Sequence, residues 1–251
     1  MKNADTGVAA GAVGDFGSLF LAKWFAGPLS PAGETARCLL AANAVALDDL
    51  QLVRDLVVSG QETHEPGAAL LALGLVLAER EGSLCLGLSP ENIAALFARS
   101  GLARGNGGQA GVADAAPGPE RIAALIGAHV SAVTGGGASG MTAAIGRGVR
   151  DSVPALPVLL VGDPVAKKRT ARAYWHRLYL AESALAGAFA ARQGGVVRAA
   201  EGTATALKRA QAFGGIKLNA EQVQAVEKAL ASPTLVVSGG PGTGKTTTVA
   251  A

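Results

Sequence analysis

The segment TLVVSGGPGTGKTTTVAA covers residues 234–251 and contains the pattern G-x-x-x-x-G-K-[ST] from Gly239 to Thr246. An apolar run rich in β-favouring residues, TLVVS (234–238), leads into the glycines, and KTTTVAA (245–251) is typical of the start of a helix. Glycines let successive backbone N–H groups converge on a phosphate, and the N-terminus of the following helix adds partial positive charge. The segment therefore predicts a buried strand, a phosphate-binding loop and a helix.

Each loop residue has an expected role in binding a nucleotide. Lys245 is expected to reach the β- and γ-phosphates, and the Thr246 hydroxyl is expected to bind Mg²⁺, so these two are the candidate catalytic residues. The alternative interpretation, a chance glycine-rich turn, is disfavoured by the apolar run before the loop and the helix start after it. The expected nucleotide contacts in the loop are Gly239, Gly240, Pro241, Gly242, Thr243, Gly244, Lys245, Thr246 and Thr247.

The residues just before this segment, LNAEQVQAVEKALASP (218–233), predict a helix. Asn219 is a good N-cap, and Pro233 prevents the helix from continuing. Gln222 places a polar side chain on an otherwise apolar row of the helix. Gln222 has two interpretations: a capping box with Asn219, or an amide that contacts the adenine of a nucleotide held by the loop. Taken alone they are equally good, and the LN-x-x-Q pattern at this distance from the loop favours the second.

The chain upstream of residue 194 is predicted to be mostly helical with a few short strands. Pro66 and Pro90 suit the first turn of a helix, with Ser89 as N-cap of the second. In the last predicted helix, Trp175, Leu178 and Leu185 are expected along one face. Helices are predicted at 34–58, 66–81, 89–101, 119–133 and 173–192, and strands at 82–89 and 154–163.

Two glycine-rich stretches interrupt this region. Residues 101–119 have almost no bulky side chains and are predicted to be a flexible insert. GGGASG (135–140) matches the dinucleotide-binding pattern G-x-G-x-x-G, which requires a preceding strand. The residues before it extend a helical pattern from Arg121, so a linker is favoured over a cofactor site.

The stretch AKKRTARAYWHRLYL (166–180) combines basic and aromatic side chains without an acid. Aromatic packing in the core with a solvated basic face is favoured, and partner docking and single-stranded DNA contact stay as alternatives. His64, His129 and His176 form no spaced pair and are interpreted as ordinary surface or core residues.

Composition and cysteine usage limit the compartment and class of the protein. The 251 residues carry a formal net charge of +3, which permits nucleic-acid binding without requiring it. Cys38 and Cys85 stand far apart without a CxxC pair, which favours a reducing compartment. The apolar run at 67–78 is too short to span a bilayer. A cytoplasmic protein without a membrane contact is expected.

Two of the motifs carry a family resemblance. LNAEQ (218–222) and VVSGGPGTGKTTTV (236–249) resemble the Q-motif and motif I of superfamily 1 DNA helicases. The form GGPGTGKTTTV resembles in particular the RecD family, the alpha subunits of exodeoxyribonuclease V. Residues from about 33 to 193 resemble the N-terminal region of that family by pattern only, and the glycine-rich inserts depart from it.

The resemblance implies a fold and an activity. It implies a mostly α N-terminal domain with a few short strands, followed by the first strand–P-loop–helix unit of a RecA-like motor. It also implies an ATP- and Mg²⁺-dependent 5′→3′ DNA helicase subunit that acts with RecB- and RecC-like subunits on single- and double-stranded DNA at broken ends, in recombinational repair. Gln222 would contact adenine, the loop would hold the phosphates, and Lys245 would stabilise the transferred charge.

The same resemblance gives the expected division of the chain: an arm (1–32), a docking domain (33–193) with inserts at 101–119 and 134–140, a connector (194–217) and the start of the motor (218–251). The acidic motif, the arginine finger and the DNA-contacting motifs do not follow, so an N-terminal part without useful ATPase turnover of its own is expected. The alternatives are a non-catalytic adaptor for RecB- and RecC-like partners and another superfamily 1 P-loop helicase.

Overall fold

A computed structural model describes residues 27–62, 65–102, 116–136, 139–145, 155–162, 171–193, 205 and 218–250. The chain divides into two compact units, Met1–Leu180 and Ala181–Ala251. The described residues are mostly helical with a small mixed sheet, which confirms the predicted fold class at that level. Most of the predicted arm, insert and connector lies outside the described residues.

The described residues of the first unit form five helices, four strands and the start of a sixth helix. A 3₁₀ turn (Gly27–Leu29) precedes the first helix, and a π-helical turn (Ala98–Leu102) follows the fourth. The strands are β1 (Cys85–Gly87), β2 (Thr142–Ile145), β3 (Val158–Val161) and β4 (Arg172–Trp175). The helices are α1 (Ser30–Ala41), α2 (Leu47–Ser59), α3 (Pro66–Arg80), α4 (Pro90–Phe97), α5 (Pro119–Thr134) and α6 (His176–Gln193).

Helix α3 forms the centre of the first unit. Its residues from Gly67 to Ala78 are all buried, as expected for a helix that is apolar on every face. Helices α1, α2, α4 and α5 and strand β1 pack around it. Gly67 allows the closest approach, because a Cβ at this position would collide with the Leu125 carbonyl oxygen and the His129 Cβ. The prediction of a helix at 66–81 with Pro66 in its first turn is confirmed.

The sheet has the strand order β1-β4-β3-β2. Strand β4 runs antiparallel to both β1 and β3, with Tyr174 opposite Cys85 on one side and Leu159 on the other. Strand β2 lies parallel to β3 at the edge. The strands predicted at 82–89 and 154–163 are confirmed in shorter form, as is Ser89 as the N-cap of α4.

The prediction of one helix over 34–58 is wrong, because the chain breaks between α1 and α2. Asn43 adopts a left-handed conformation (φ 56°), and the N–H groups of Asn43 and Ala44 donate to the carbonyls of Leu40 and Leu39. These two bonds form a Schellman motif, in which Asn substitutes for the usual glycine. The local stop signal therefore overrides the continuous helical spacing.

The helix predicted at 173–192 begins later than expected. Tyr174 and Trp175 lie in β4, and α6 starts at His176. Pairing with a strand on each side buries both aromatic side chains, and this tertiary gain outweighs the helical spacing of the sequence. Trp175 therefore does not share a helical face with Leu178, and Leu185 is exposed.

The glycine pattern at 135–140 follows a helix and precedes a strand. Gly135 terminates α5, and Thr142 begins β2. A dinucleotide-binding loop has the reverse order, from strand to helix. The order in the structure agrees with the linker interpretation.

Within the described ranges, no helix is long and apolar enough to cross a membrane.

Candidate nucleotide-binding site

Two helices frame the loop in the second unit: α7 (Ala220–Ala231) and α8 (Lys245–Ala250), which pack against each other. The start of α7 is a complete capping box. Asn219 Oδ1 accepts from the Gln222 N–H, and Gln222 Oε1 accepts from the Asn219 N–H, both at 2.9 Å. The capping interpretation of Gln222 is confirmed, and the bonds fix the direction in which its amide points.

The predicted buried strand at 234–238 is wrong for this chain. Residues 234–238 do not form a strand, and the Val236 side chain is 77% exposed. A strand needs a hydrogen-bonded neighbour and a covered face, and no described strand pairs with this segment. Residues 235–238 therefore stay exposed to solvent, and the described residues do not form a complete P-loop fold.

The loop itself has the backbone pattern of an anion-binding nest. Gly242 and Gly244 both have φ of 75°, whereas Thr243 between them does not have positive φ. Lys245 then starts α8. Alternating right- and left-handed residues turn successive N–H groups toward one point, where an anion can bind. Glycine is needed at 242 and 244, because other residues reach this conformation only at a cost.

Side-chain hydrogen bonds close the loop on itself. Lys245 Nζ donates to the carbonyl oxygens of Gly239 and Gly240, both at 2.7 Å. Thr243 Oγ1 donates to the same Gly240 oxygen at 2.9 Å. A Cβ at Gly239 would lie 2.7 Å from Thr243 Oγ1, so a side chain there would force this hydroxyl to move. The Lys245 ammonium has three N–H donors. Two of them donate to the loop carbonyls, and the third can donate to a further acceptor.

Thr246 and Thr248, in the helix that the lysine begins, differ in environment. Thr246 is exposed in the first turn of α8, where a hydroxyl can bind a cation. Thr247 lies in the same turn. Thr248 is 9% exposed, and its hydroxyl donates to the Gly244 oxygen at 3.0 Å. Sequence reasoning missed Thr248, although a third threonine one turn from Gly244 is the spacing at which a helical hydroxyl bonds to a carbonyl.

A cleft of about 330 Å³ lies between the loop and α7. Its size falls in the range of small-molecule sites. Gln222, Thr243, Lys228 and Lys245 line it. Glu221, which is exposed, is the one carboxylate among the described residues that line the cleft.

A second polar cluster, in the first unit, includes the buried side chains of Glu62, His129 and Thr142. Glu62 Oε1 accepts from Ser139 Oγ and from the Gly140 N–H, and His129 Nε2 lies 3.3 Å from Thr142 Oγ1. Burial lowers the pKa of His129, although the carboxylates of Glu62 and Glu65 oppose this shift. The cluster holds the start of β2 against α5.

The remaining candidates have structural contacts. His176 Nδ1 contacts the Leu156 carbonyl, Tyr174 stacks edge-on against Tyr179, and Arg177 pairs with Glu79. These contacts favour the core interpretation of 166–180, of which 166–170 lie outside the described residues, as does His64. In the described ranges, no three His, Cys, Asp or Glu side chains are grouped to hold a metal.

No protein-family model, curated protein or solved structure matches this chain.

Proposed function

We propose that residues 218–250 bind the triphosphate of ATP together with Mg²⁺. The observation that carries this proposal is the loop backbone, in which φ alternates in sign at Gly242, Thr243 and Gly244 directly before a lysine and a helix. The sequence pattern G-x-x-x-x-G-K-[ST] supplies the chemistry that this backbone needs.

The roles within the site follow from the positions of the side chains. On binding, Lys245 Nζ exchanges its bonds to the Gly239 and Gly240 oxygens for the β- and γ-phosphate oxygens. The Thr246 hydroxyl, exposed at the start of α8, binds Mg²⁺. The face of α7 that lines the cleft beside Gln222 receives the adenine.

We further propose that the chain belongs to an ATP-dependent 5′→3′ DNA helicase subunit of the RecD type, which works with RecB- and RecC-like subunits at double-strand DNA ends. The support is the resemblance of LNAEQ and GGPGTGKTTTV to the Q-motif and motif I. In this proposal the first unit docks on a partner subunit.

Turnover needs more than this loop. Phosphoryl transfer requires an acidic residue at the Mg²⁺ and water, and a cation at the developing charge. Among the described residues of the cleft, the one carboxylate is Glu221. It is exposed on the first turn of α7 and does not lie on a strand beside the proposed Mg²⁺ site. We therefore propose that the 251-residue chain binds ATP but hydrolyses it slowly, which keeps the non-catalytic adaptor as the second candidate function.

The test measures ATP·Mg²⁺ binding by calorimetry and DNA-stimulated ATPase activity on the full chain and on Lys245→Ala. Arg192→Ala, an exposed cation on α6, serves as the matched control. Binding that is lost in Lys245→Ala and kept in Arg192→Ala supports the site. Equal binding by all three chains would overturn it, and robust Lys245-dependent turnover would overturn the claim of slow hydrolysis.

A further inference from the structure

The amide of Gln222 is engaged on both of its polar atoms. Its Oε1 accepts from the Asn219 N–H at 2.9 Å, and its Nε2 donates to the Thr243 carbonyl at 3.3 Å. The first bond belongs to the start of α7, and the second reaches the middle of the phosphate loop. One side chain therefore connects the helix cap with the loop.

Thr243 is the residue through which this connection spreads. Its carbonyl accepts from Gln222, and its hydroxyl donates to the Gly240 oxygen, which also accepts from Lys245 Nζ. Gln222, Thr243, Gly240 and Lys245 thus form one continuous chain of hydrogen bonds. Thr243 is also the residue of negative φ between two glycines of positive φ, so its orientation decides whether the N–H groups of the nest converge.

We infer that Gln222 is a positioning residue for the phosphate loop, and that this contribution is the same for every ligand with a triphosphate, whatever its base. The inference rests on the proposed nucleotide site and deepens it. An amide that only reads adenine would contribute nothing to a ligand without a base. An amide that holds Thr243 contributes to the triphosphate itself, because it keeps the loop in its binding conformation before the ligand arrives.

Two variants separate the loop contact from the helix cap. Gln222→Met has a similar length, adds no charge and removes the donor to Thr243 as well as the acceptor for the Asn219 N–H. Asn219→Ala removes the other half of the capping box and leaves both bonds of the Gln222 side chain possible. The matched control is Gln51→Met, on the exposed face of α2 in the first unit.

The full chain and each variant are titrated with ATP·Mg²⁺ and with inorganic triphosphate·Mg²⁺ by calorimetry. We expect Gln222→Met to weaken the binding of both ligands by a similar factor of about 3 to 10, the worth of one hydrogen bond. Gln51→Met is expected to stay within about twofold of the natural chain, and Asn219→Ala is expected to weaken binding less than Gln222→Met does, because both bonds of the Gln222 side chain remain possible. In the absence of ligand, amide hydrogen exchange of Gly240 and of Gly242, Thr243 and Gly244 is expected to be faster in Gln222→Met alone.

Every result decides the question. A loss of ATP affinity with unchanged triphosphate affinity would mean that Gln222 only reads the base, and unchanged affinity for both ligands would mean that it does neither. An equal loss in Asn219→Ala would assign the effect to the helix cap. If the natural chain binds neither ligand, the proposed function fails, and the hydrogen exchange of the loop alone then supports or overturns the positioning role.

Discussion

Lys245 Nζ lies 2.7 Å from the carbonyl oxygen of Gly239, six positions earlier in the chain. The side chain of the first residue of α8 therefore folds back across the whole loop and bonds to its first residue. The loop is closed by the cation that is proposed to receive the phosphates, and its affinity for a nucleotide depends on how easily that cation leaves the carbonyls.

The first prediction concerns the charge of this lysine. Lys245→Ala removes both bonds to the loop carbonyls and the proposed phosphate contact. We expect the affinity for ATP·Mg²⁺ to fall at least tenfold, because hydrogen bonds to charged groups contribute about 1.5–3 kcal/mol. Calorimetry measures the change, and Lys245→Arg tests whether charge alone is sufficient. Full binding by Lys245→Arg would argue against the need for a compact ammonium in the nest.

The second prediction concerns the left-handed residue before the lysine. Gly244→Ala places a Cβ on a residue with φ of 75°, which costs about 1–2 kcal/mol. We expect the loop to relieve this strain by changing conformation, with at least fivefold weaker ATP·Mg²⁺ binding and an unchanged far-UV circular dichroism spectrum. Gly187→Ala is the control, because a Cβ there meets nothing within 4 Å in the middle of α6. Normal binding by Gly244→Ala would exclude the nest as the phosphate site.

The third prediction concerns the packing of the central helix. Gly67→Ala drives a Cβ into the Leu125 carbonyl and the His129 Cβ, and overpacking of this kind costs about 1–3 kcal/mol. Gly127→Ala lies in α5, where a Cβ has open space, and should instead stabilise the helix by about 0.5–1 kcal/mol. Urea unfolding followed by circular dichroism measures both free energies of unfolding. The same sign for the two variants would contradict the close approach of α3 and α5.

The fourth prediction concerns pH. Burial lowers the pKa of His129 in the folded state below its ordinary value of 6.5, so the unfolded chain binds a proton at a higher pH than the folded chain does. The free energy of unfolding is therefore expected to fall as the pH drops below about 6.5, and to level off once the folded state is protonated too. Glu62 and Glu65 limit the size of this effect, because their negative charge favours the protonated ring.

Urea unfolding between pH 7.5 and pH 5 measures this dependence. His129→Gln keeps a polar atom near the Thr142 hydroxyl but cannot be protonated, so its curve should be flatter over that range. A His129→Gln curve parallel to that of the natural chain would show that other groups set the pH dependence.

Local signals in the sequence predicted those elements whose apolar run or end signals lie within one segment. The apolar run after Pro66 identified α3, Ser89 identified the start of α4, and Asn219 with Gln222 identified a capping box that the structure contains. The spacing of the glycines around Lys245 placed the loop correctly between an apolar run and a helix.

Elements that depend on distant partners were not predictable in the same way. Tyr174 and Trp175 have helical spacing, but they become a strand because β1 and β3 lie on either side. Val236 has strand propensity, but it stays exposed where no described strand pairs with it. The hydrogen bond from Gln222 to Thr243 joins residues 21 positions apart. Nothing in the sequence around either residue indicates contact with the other.

Helix α3 is covered by α1 and α2, which precede it in the chain, and by α4 and α5, which follow it. The part of its apolar surface that packs against α5 therefore cannot be covered during synthesis until Pro119–Thr134 has left the ribosome. A twelve-residue stretch without a single charge, from Gly67 to Ala78, is a segment that chaperones would engage during this interval. Once α5 has docked, the same helix should have the slowest-exchanging amides of the first unit, since its opening requires the separation of every neighbour at once.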